Sequence, residues 1–330
     1  MDDIKYVIYA SNDGYAPHLA ASMVSLLENN RTIPKLKIWL LSAGMCDAYK
    51  ERLGKIARQY GQMFEAVELG DLRARFPYEV DTRGFDISAM ARLFAPQVLP
   101  KEVTRALYLD CDTIVCGDIS PLFTLDLGEN VVGMVMEPTV YGQMKASIGL
   151  KKDDPYYNSG VLLMDIAAWR REAILDKLLD YYGAHGASLF ACDQDTLNGA
   201  LFGRILPLSP RYNFFTNYRY FRYATLESLC AAYRTVGKAE FERAKHSPVV
   251  IHYLGDERPW IRGSRNHYRK LYDHYLGKTP WKNMERQRGK ELYMAFWWIL
   301  NHATLICPSF RLWISRGFGM KVIDARKRKK

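Results

Sequence analysis

Two aspartates follow an apolar run in Ala106-Leu107-Tyr108-Leu109-Asp110-Cys111-Asp112. On an extended chain, alternate side chains share a face, so Asp110 and Asp112 are expected to project to the same side. Like charges that close together repel unless a cation lies between them. A hard divalent ion that also holds substrate phosphates suits an all-oxygen pair. The plainer alternative is a strand end whose aspartates are solvated or cap the next turn. Other polar clusters follow apolar runs in the same way. His252 comes after Val249-Val250-Ile251 and opens His252-Tyr253-Leu254-Gly255-Asp256-Glu257-Arg258-Pro259-Trp260. There Gly255 permits close backbone approach and Arg258 offers a planar fork for phosphate oxygens. Asn12-Asp13-Gly14 follows the first apolar run, Tyr157-Asn158-Ser159-Gly160 precedes Val161-Leu162-Leu163-Met164, and Asp193-Gln194-Asp195 opens a helical stretch. Each has an ordinary structural use as a turn, a strand entry or a helix cap.

The elements that would position these clusters alternate. Runs at 4–10, 37–41, 63–69, 106–110, 131–136, 160–165 and 248–253 read as strands, and 16–28, 46–60, 88–98, 166–182 and 193–202 read as helices. Ser88 is the expected N-cap of its helix, and 210–247 reads as a connection with a short helix. Such alternation predicts an α/β fold with a mixed, mainly parallel central sheet and helices on both faces. In these sheets the ligand lies beyond the carboxyl ends of the strands, where strand order reverses, so the clusters after strands are expected to share one crevice. No G-x-G-x-x-G follows the first strand and no Walker-type loop is present, which argues against a dinucleotide site or a P-loop. Phosphate must then be held by metal and side chains.

The chain of 330 residues is long enough for one large α/β domain with an appendage. Its net charge of +10 is concentrated in residues 278–330, where 13 Lys and Arg face three acidic residues, while the rest is neutral. Only this tail needs an electrostatic partner. It contains the apolar stretch 292–300, interrupted by Asn301 and His302, and ends Arg326-Lys327-Arg328-Lys329-Lys330. Nine residues are too short to span a bilayer, but such a stretch with basic flanks suits a helix lying in an anionic membrane interface. The alternative is a helix packing its aromatic stripe on the body. We therefore expect a main α/β domain at 1–277 and a basic, aromatic, helical tail at 278–330. The six cysteines form no C-x-x-C pair and read as buried free thiols of a reducing compartment. The N-terminus lacks the pattern of a secretory signal. A cytoplasmic protein, peripheral on the inner face of the cell membrane, is the expectation, with no nucleic-acid partner although the tail alone does not exclude RNA.

Taken together and in order, these motifs resemble glycosyltransferase family 8, which includes bacterial lipopolysaccharide galactosyl- and glucosyltransferases and, more distantly, glycogenin. The resemblance runs from the first strand to Trp260. It implies a GT-A fold and a retaining hexosyltransferase that moves galactose or glucose from a UDP-sugar to a saccharide or glycolipid acceptor, such as lipopolysaccharide core. It implies that Asp110, Asp112 and His252 bind Mn²⁺, and a nitrogen beside two carboxylates suits Mn²⁺ better than the alternative Mg²⁺. It places the nucleotide on Ala10, Asn12 and Tyr15, with Cys111 between the metal acids. Asn12 and Gly14 stand where the family more often has Asp and a polar residue, and Arg258, beside Gly255, replaces a more frequent Lys on the diphosphate. Arg92 matches a helix Arg at the donor sugar and phosphate, Asn158, Ser159 and Asp193 match sugar contacts, and Gln194 matches the residue near the sugar's β face. Arg92, Asp193 and Gln194 are thus the implied catalytic group. With no unpaired carboxylate evident at Gln194, same-face substitution is favoured over a double displacement, Asp195 being the alternative nucleophile. Two other readings stand beside this one: a non-catalytic docking module on a GT-A shell, and a glycogenin-like enzyme that glycosylates its own tyrosine.

Overall fold

In the computed structural model, which describes residues 4–82, 86–186 and 188–314, seven strands form one mixed sheet. The ten strands of the described residues, in two sheets, are β1 (Lys5–Ser11), β2 (Leu36–Ser42), β3 (Met63–Glu68), β4 (Arg105–Leu109), β5 (Thr113–Val115), β6 (Val132–Met136), β7 (Tyr157–Asp165), β8 (Ile205–Leu208), β9 (Phe214–Phe215) and β10 (Val250–His252). The large sheet has the order β3-β2-β1-β4-β7-β6-β8, and β5, β10 and β9 form a small second sheet. β1, β2, β3 and β4 are parallel, as are β6 and β8, while β7 runs antiparallel to both its neighbours. The central strands are aliphatic and buried along nearly their whole length, the pattern of a sheet covered on both faces. Strand order reverses between β1 and β4, so their carboxyl ends, Ala10-Ser11 and Leu109-Asp110, border one crevice.

Several expected elements are refined. The pair Asp110 and Asp112 does not lie on extended chain. β4 ends at Leu109, and a turn closed by Thr113 N–H donating to the Asp110 carbonyl (3.2 Å) brings the two carboxylates together. β7 begins at Tyr157, three residues earlier than expected, so Asn158 and Ser159 are strand residues rather than a turn. Segment 88–98 is a 3₁₀ helix, Ile87–Phe94, continued by a single α turn, Ala95–Val98, and its cap is Asp86, whose carboxylate accepts from Ser88 N–H. The helix expected at 166–182 is two helices, Ile166–Arg171 and Ile174–His185, broken at Ala173 in the left-handed region (φ 49°). The first is tied down separately: Trp169 Nε1 donates to the Val131 carbonyl and Arg170 to the carbonyls of Pro96, Leu99, Pro100, Lys101 and Val103.

The tail is not a free appendage. Helix Glu291–Ile306 is continuous through Asn301 and His302, because Asn301 is buried and donates to the Glu257 carboxylate (2.7 Å) instead of ending the helix. Met294, Leu300 and Thr304 face the body, beside the 3₁₀ segment Thr216–Tyr220, while Leu292, Phe296, Ile299 and Ile306 are exposed. The terminal basic cluster 326–330 lies outside the described residues. All six cysteines are free, but Cys46 and Cys307 are exposed rather than buried. Among the described residues, no helix is long and apolar enough to cross a membrane.

Candidate active site

Asp110, Asp112 and His252 come together at the switch point, with one ligand atom of each within 4.8 Å of the others. Backbone bonds hold the arrangement. Asp110 N–H donates to the Gly160 carbonyl (2.8 Å), which anchors it to β7, and Tyr253 N–H donates to the Asp112 carbonyl (3.0 Å), which anchors β10 beside the turn. The His252 ring is oriented by Asn213, whose Oδ1 lies 3.0 Å from Nδ1, leaving Nε2 3.2 Å from Asp112 Oδ1 and 3.9 Å from Asp110 Oδ2. Asn213 is fixed in turn by donating to Asn158 Oδ1 (2.9 Å). Such outer partners set the ring's tautomer and present one nitrogen to a metal. Gly160 makes room for the ring: a Cβ there would lie 2.4 Å from His252 Cε1. A pre-oriented imidazole beside two carboxylates is a donor set that fits a divalent cation.

Two guanidiniums neutralise the acids. Arg92 is buried, donates to the carbonyls of Ser159 and Ala89, lies 2.8 Å from Asp110 Oδ1 and stacks over Tyr108. Its Nε is 3.2 Å from Asp193 Oδ2, an ion-pair contact without hydrogen-bond alignment, since that oxygen has no hydrogen-bond partner among the described residues. Burial would lower the Arg92 pKa, but Asp110 and Asp193 together raise it above its ordinary value. Arg258 bonds Asp112 directly. Gly255, at φ 87°, makes the turn that returns Arg258 to this position, and its carbonyl accepts from Arg258 Nε (3.0 Å). Burial pushes the Asp112 carboxyl upward, yet Arg258 and His252 outweigh it and hold the group below the carboxylate range. Burial opposes charge on His252 as well, and Asp112 reverses that, raising its pKa.

These groups line a cavity of about 220 Å³. Of the residues expected from sequence, Ala10, Tyr15, Arg92, Asp110, Cys111, Asp112, Asn158, Ser159, Asp193, Gln194, His252 and Arg258 all face it. Asn12 and Gly255 do not. The Asn12 amide donates instead to Asp86 (2.7 Å), and Asp86 itself lines the cavity. Behind Tyr15, His18 stacks on Trp260 at 3.7 Å and bonds the Tyr272 hydroxyl (2.6 Å). Burial lowers the His18 pKa to about 3, so this aromatic wall is neutral.

The Gln194 amide is fully engaged. Its oxygen accepts from Asn158 Nδ2 (2.9 Å) and Ser159 N–H (3.1 Å), and its nitrogen approaches Tyr156 Oη (3.2 Å) and Glu137 Oε2 (3.3 Å). A carboxylate that the sequence reading did not name thus stands beside Gln194, and it is engaged by the Asn158 and Gln194 amides. Glu137 is buried, and burial raises its pKa although the Asn158 and Gln194 amides oppose the shift. The rule that flagged Asp110 would have found it, since Glu137 directly follows β6. Asp195 turns away from the cavity. Its oxygens accept from the Tyr156 hydroxyl and from Phe190 and Ala191 N–H, and it is completely buried.

This chain resembles known proteins over most of its length. The sequence profile of glycosyl transferase family 8 matches residues 6–263. General stress protein A of Bacillus subtilis is 28% identical over 86% of this chain and 96% of its own length. A lipopolysaccharide 1,2-glucosyltransferase of Escherichia coli K12 is 26% identical over 87% of this chain and 81% of its own. The galactosyltransferase LgtC, solved with donor and acceptor sugar analogues, superposes with a TM-score of 0.69 at 25% identity, covering 83% of this chain and 96% of that one. The mixed sheet and the crevice at its switch point are accordingly those of a GT-A fold, and the chain belongs to glycosyl transferase family 8.

Proposed function

We propose that this protein is a retaining hexosyltransferase that takes galactose or glucose from a UDP-sugar and places it on a saccharide of a cell-surface glycan, lipopolysaccharide core being the acceptor class its relatives suggest. The observation that carries the reading is the convergence of Asp110, Asp112 and His252 with Arg92, Arg258 and Gln194 on one cavity at the strand switch point. Mn²⁺, or Mg²⁺ in its place, would be held by Asp110, Asp112 and His252 and would offset charge on the departing diphosphate.

The chain's own groups do the rest. Arg258 shifts from Asp112 to diphosphate oxygens when the donor enters, since a fork of N–H donors matches phosphate as well as carboxylate. Arg92, locked by two carbonyls and the Tyr108 ring, offers a fixed positive charge to the donor without reorganising. Tyr15 and the wall behind it receive the base, with Ala10 and Cys111 flanking. Asn158, Ser159 and Asp193 contact sugar hydroxyls. The acceptor hydroxyl attacks the face from which the diphosphate leaves and delivers its proton to the diphosphate. The Gln194 oxygen, clamped by Asn158 and Ser159, acts on the developing positive charge through its field. The engagement of both Asp195 oxygens, and of Glu137 by the Asn158 and Gln194 amides, supports this same-face course over a covalent intermediate.

We further propose two functional parts, a catalytic unit at 1–277 and a tail at 278–330 whose exposed Leu292, Phe296, Ile299, Ile306, Phe310 and Trp313 rest in an anionic membrane interface on its cytoplasmic side. Hydrolysis of UDP-hexoses, screened with Mn²⁺ and after chelation, tests the enzymatic reading. Activity on one UDP-hexose that disappears on chelation is expected. Inertness towards every UDP-hexose in Mn²⁺ overturns it.

A further inference from the structure

A second cavity, of about 1030 Å³, has a lining separate from that of the first. Glu137, which touches Gln194 and Asn158, is followed directly by Pro138 and Thr139, and both of these line the larger space. Gln194 Nε2 lies 3.3 Å from Glu137 Oε2, so the chain that carries this carboxylate beside the first cavity runs on directly into the wall of the second. Its charged lining is of one sign. Lys151, Lys152 and Arg311 contribute to it, and no Asp or Glu does among the described residues.

Arg311 is the unusual member. It is 8% exposed and lies between the rings of Phe221 (5.2 Å) and Trp297 (5.1 Å). One N–H donates to Asn301 Oδ1, whose amide in turn reaches Glu257 (2.7 Å), and among the described residues no carboxylate is in ion-pair contact with Arg311. A buried guanidinium without a carboxylate in direct contact is costly. A fork held between two aromatic faces is also pre-oriented, so little freedom is lost when it binds an anion. The Lys151 and Lys152 ammoniums have no carboxylate within ion-pair distance among the described residues. The Asp154 carboxylate nearby accepts from Lys151 N–H (2.7 Å), and the Asp153 carboxylate from Ala231 N–H (3.1 Å). Arg311 and Trp297 lie beyond residue 263, where the match to the family ends.

We propose that this cavity seats a phosphoryl group carried by the acceptor, held by Arg311, Lys151 and Lys152 while the acceptor's sugar reaches the Glu137–Gln194 wall. The proposal rests on the transferase reading and narrows it to a phosphate-bearing acceptor. Three cations around a roomy cavity suit a dianion better than a single carboxylate, because phosphate presents several charged oxygens to separate donors. The phosphoryl group can be a monoester on the acceptor glycan or the diphosphate that joins a glycan to a lipid.

The test has two readouts on the full chain. Calorimetric titration with inorganic phosphate, in chelator at low salt, compares the wild type with Arg311→Gln and with the double variant Lys151→Ala, Lys152→Ala. Both lysines are exposed, so the double variant keeps the test valid even if Arg311→Gln loosens the fold. Phosphate affinity is expected to fall about tenfold or more for each charge-assisted contact removed. Transfer to an octyl hexoside is then compared with transfer to its 6-phosphate, to the matching uronic acid and to an octyl-diphospho-hexose. A preference of about tenfold for either phosphorylated acceptor that collapses in the lysine double variant supports the proposal, and which of the two is preferred identifies the source. Equal phosphate binding by all variants, or a preference for the neutral hexoside or the uronic acid, overturns it. Wild-type donor hydrolysis is read in parallel. Its absence refutes the transferase assignment, whereas the loss of phosphate affinity in the lysine double variant reports on this cavity regardless.

Discussion

Arg258 and a divalent ion should compete for Asp112, and removing Arg258 exposes the competition. Both Asp112 oxygens are engaged, one by Arg258 and the other 3.2 Å from His252 Nε2. Breaking a buried ion pair by removing one partner typically costs about 3–5 kcal/mol. Here the Arg258 side chain is 24% exposed and His252 remains in place, which reduces the expected cost of Arg258→Ala to about 2 kcal/mol. At about 2 °C per kcal/mol for a large domain, the variant in chelator should melt about 4 °C below wild type. In wild type, part of the metal's binding energy goes into displacing the guanidinium. In the variant the metal meets a bare carboxylate, so Mn²⁺ without nucleotide should bind more tightly by a similar 2 kcal/mol, about thirtyfold. Differential scanning fluorimetry in chelator and in Mn²⁺, with calorimetric Mn²⁺ titration, measures both effects. If Arg258→Ala melts with wild type in chelator, or its Mn²⁺ affinity does not rise, Arg258 is not the cation that holds Asp112 in the metal-free site. A rise in donor KM in the same variant is expected if the guanidinium then moves to the diphosphate.

Asp112→Asn should reduce turnover at least about a hundredfold and abolish the Mn²⁺-induced melting shift while leaving the far-ultraviolet circular dichroism unchanged; near-normal turnover in a Mn²⁺ titration would rule out the assigned metal site. Gly160→Ala forces a Cβ against the His252 ring at 2.4 Å, so the ring or β7 must move. A destabilisation of about 1–3 kcal/mol, together with weakened Mn²⁺ binding by calorimetry, is expected, and unchanged metal affinity would contradict the role given to the glycine. Glu137 keeps its proton longer in the folded chain than in the unfolded one, because burial raises its pKa above 4.5. Stability therefore falls as pH rises from the unfolded value through the folded one, and the melting temperature of Glu137→Gln relative to wild type should increase over that interval; a pH-independent difference would show that Glu137 is not desolvated. Replacing the exposed Leu292, Ile299 and Ile306 by Ser should weaken sedimentation with anionic vesicles at least tenfold without changing the melting temperature, and undiminished vesicle binding would exclude this helix as the membrane contact.

Much of this enzyme is legible one residue at a time. Buried strands declare themselves as aliphatic runs, because a sheet covered on both faces has no polar side to alternate with. Acids and a histidine placed directly after such runs can be expected at the carboxyl edge of the sheet. That reasoning located Asp110, Asp112 and His252, and it would have located Glu137 had it been applied to the end of β6. What sequence could not carry was everything set by contacts between distant segments. The two aspartates converge through a turn and not through strand alternation. Asp86 at the cavity rim takes up the Asn12 amide across 74 positions, and Asn213 orients His252 across 39. Gly160 reads as a strand entry until the imidazole packed against it is seen. The tail's Asn301 looks like an interruption of an apolar stripe, and only its contacts with Glu257 and Arg311, with those of Arg311 to Phe221 and Trp297, show how Arg311 is brought to a cavity wall. Local pattern depends on hydrophobicity and chain geometry over a few residues. Which lone pair or ring a polar side chain meets depends on where the rest of the chain has folded, and that is decided in three dimensions.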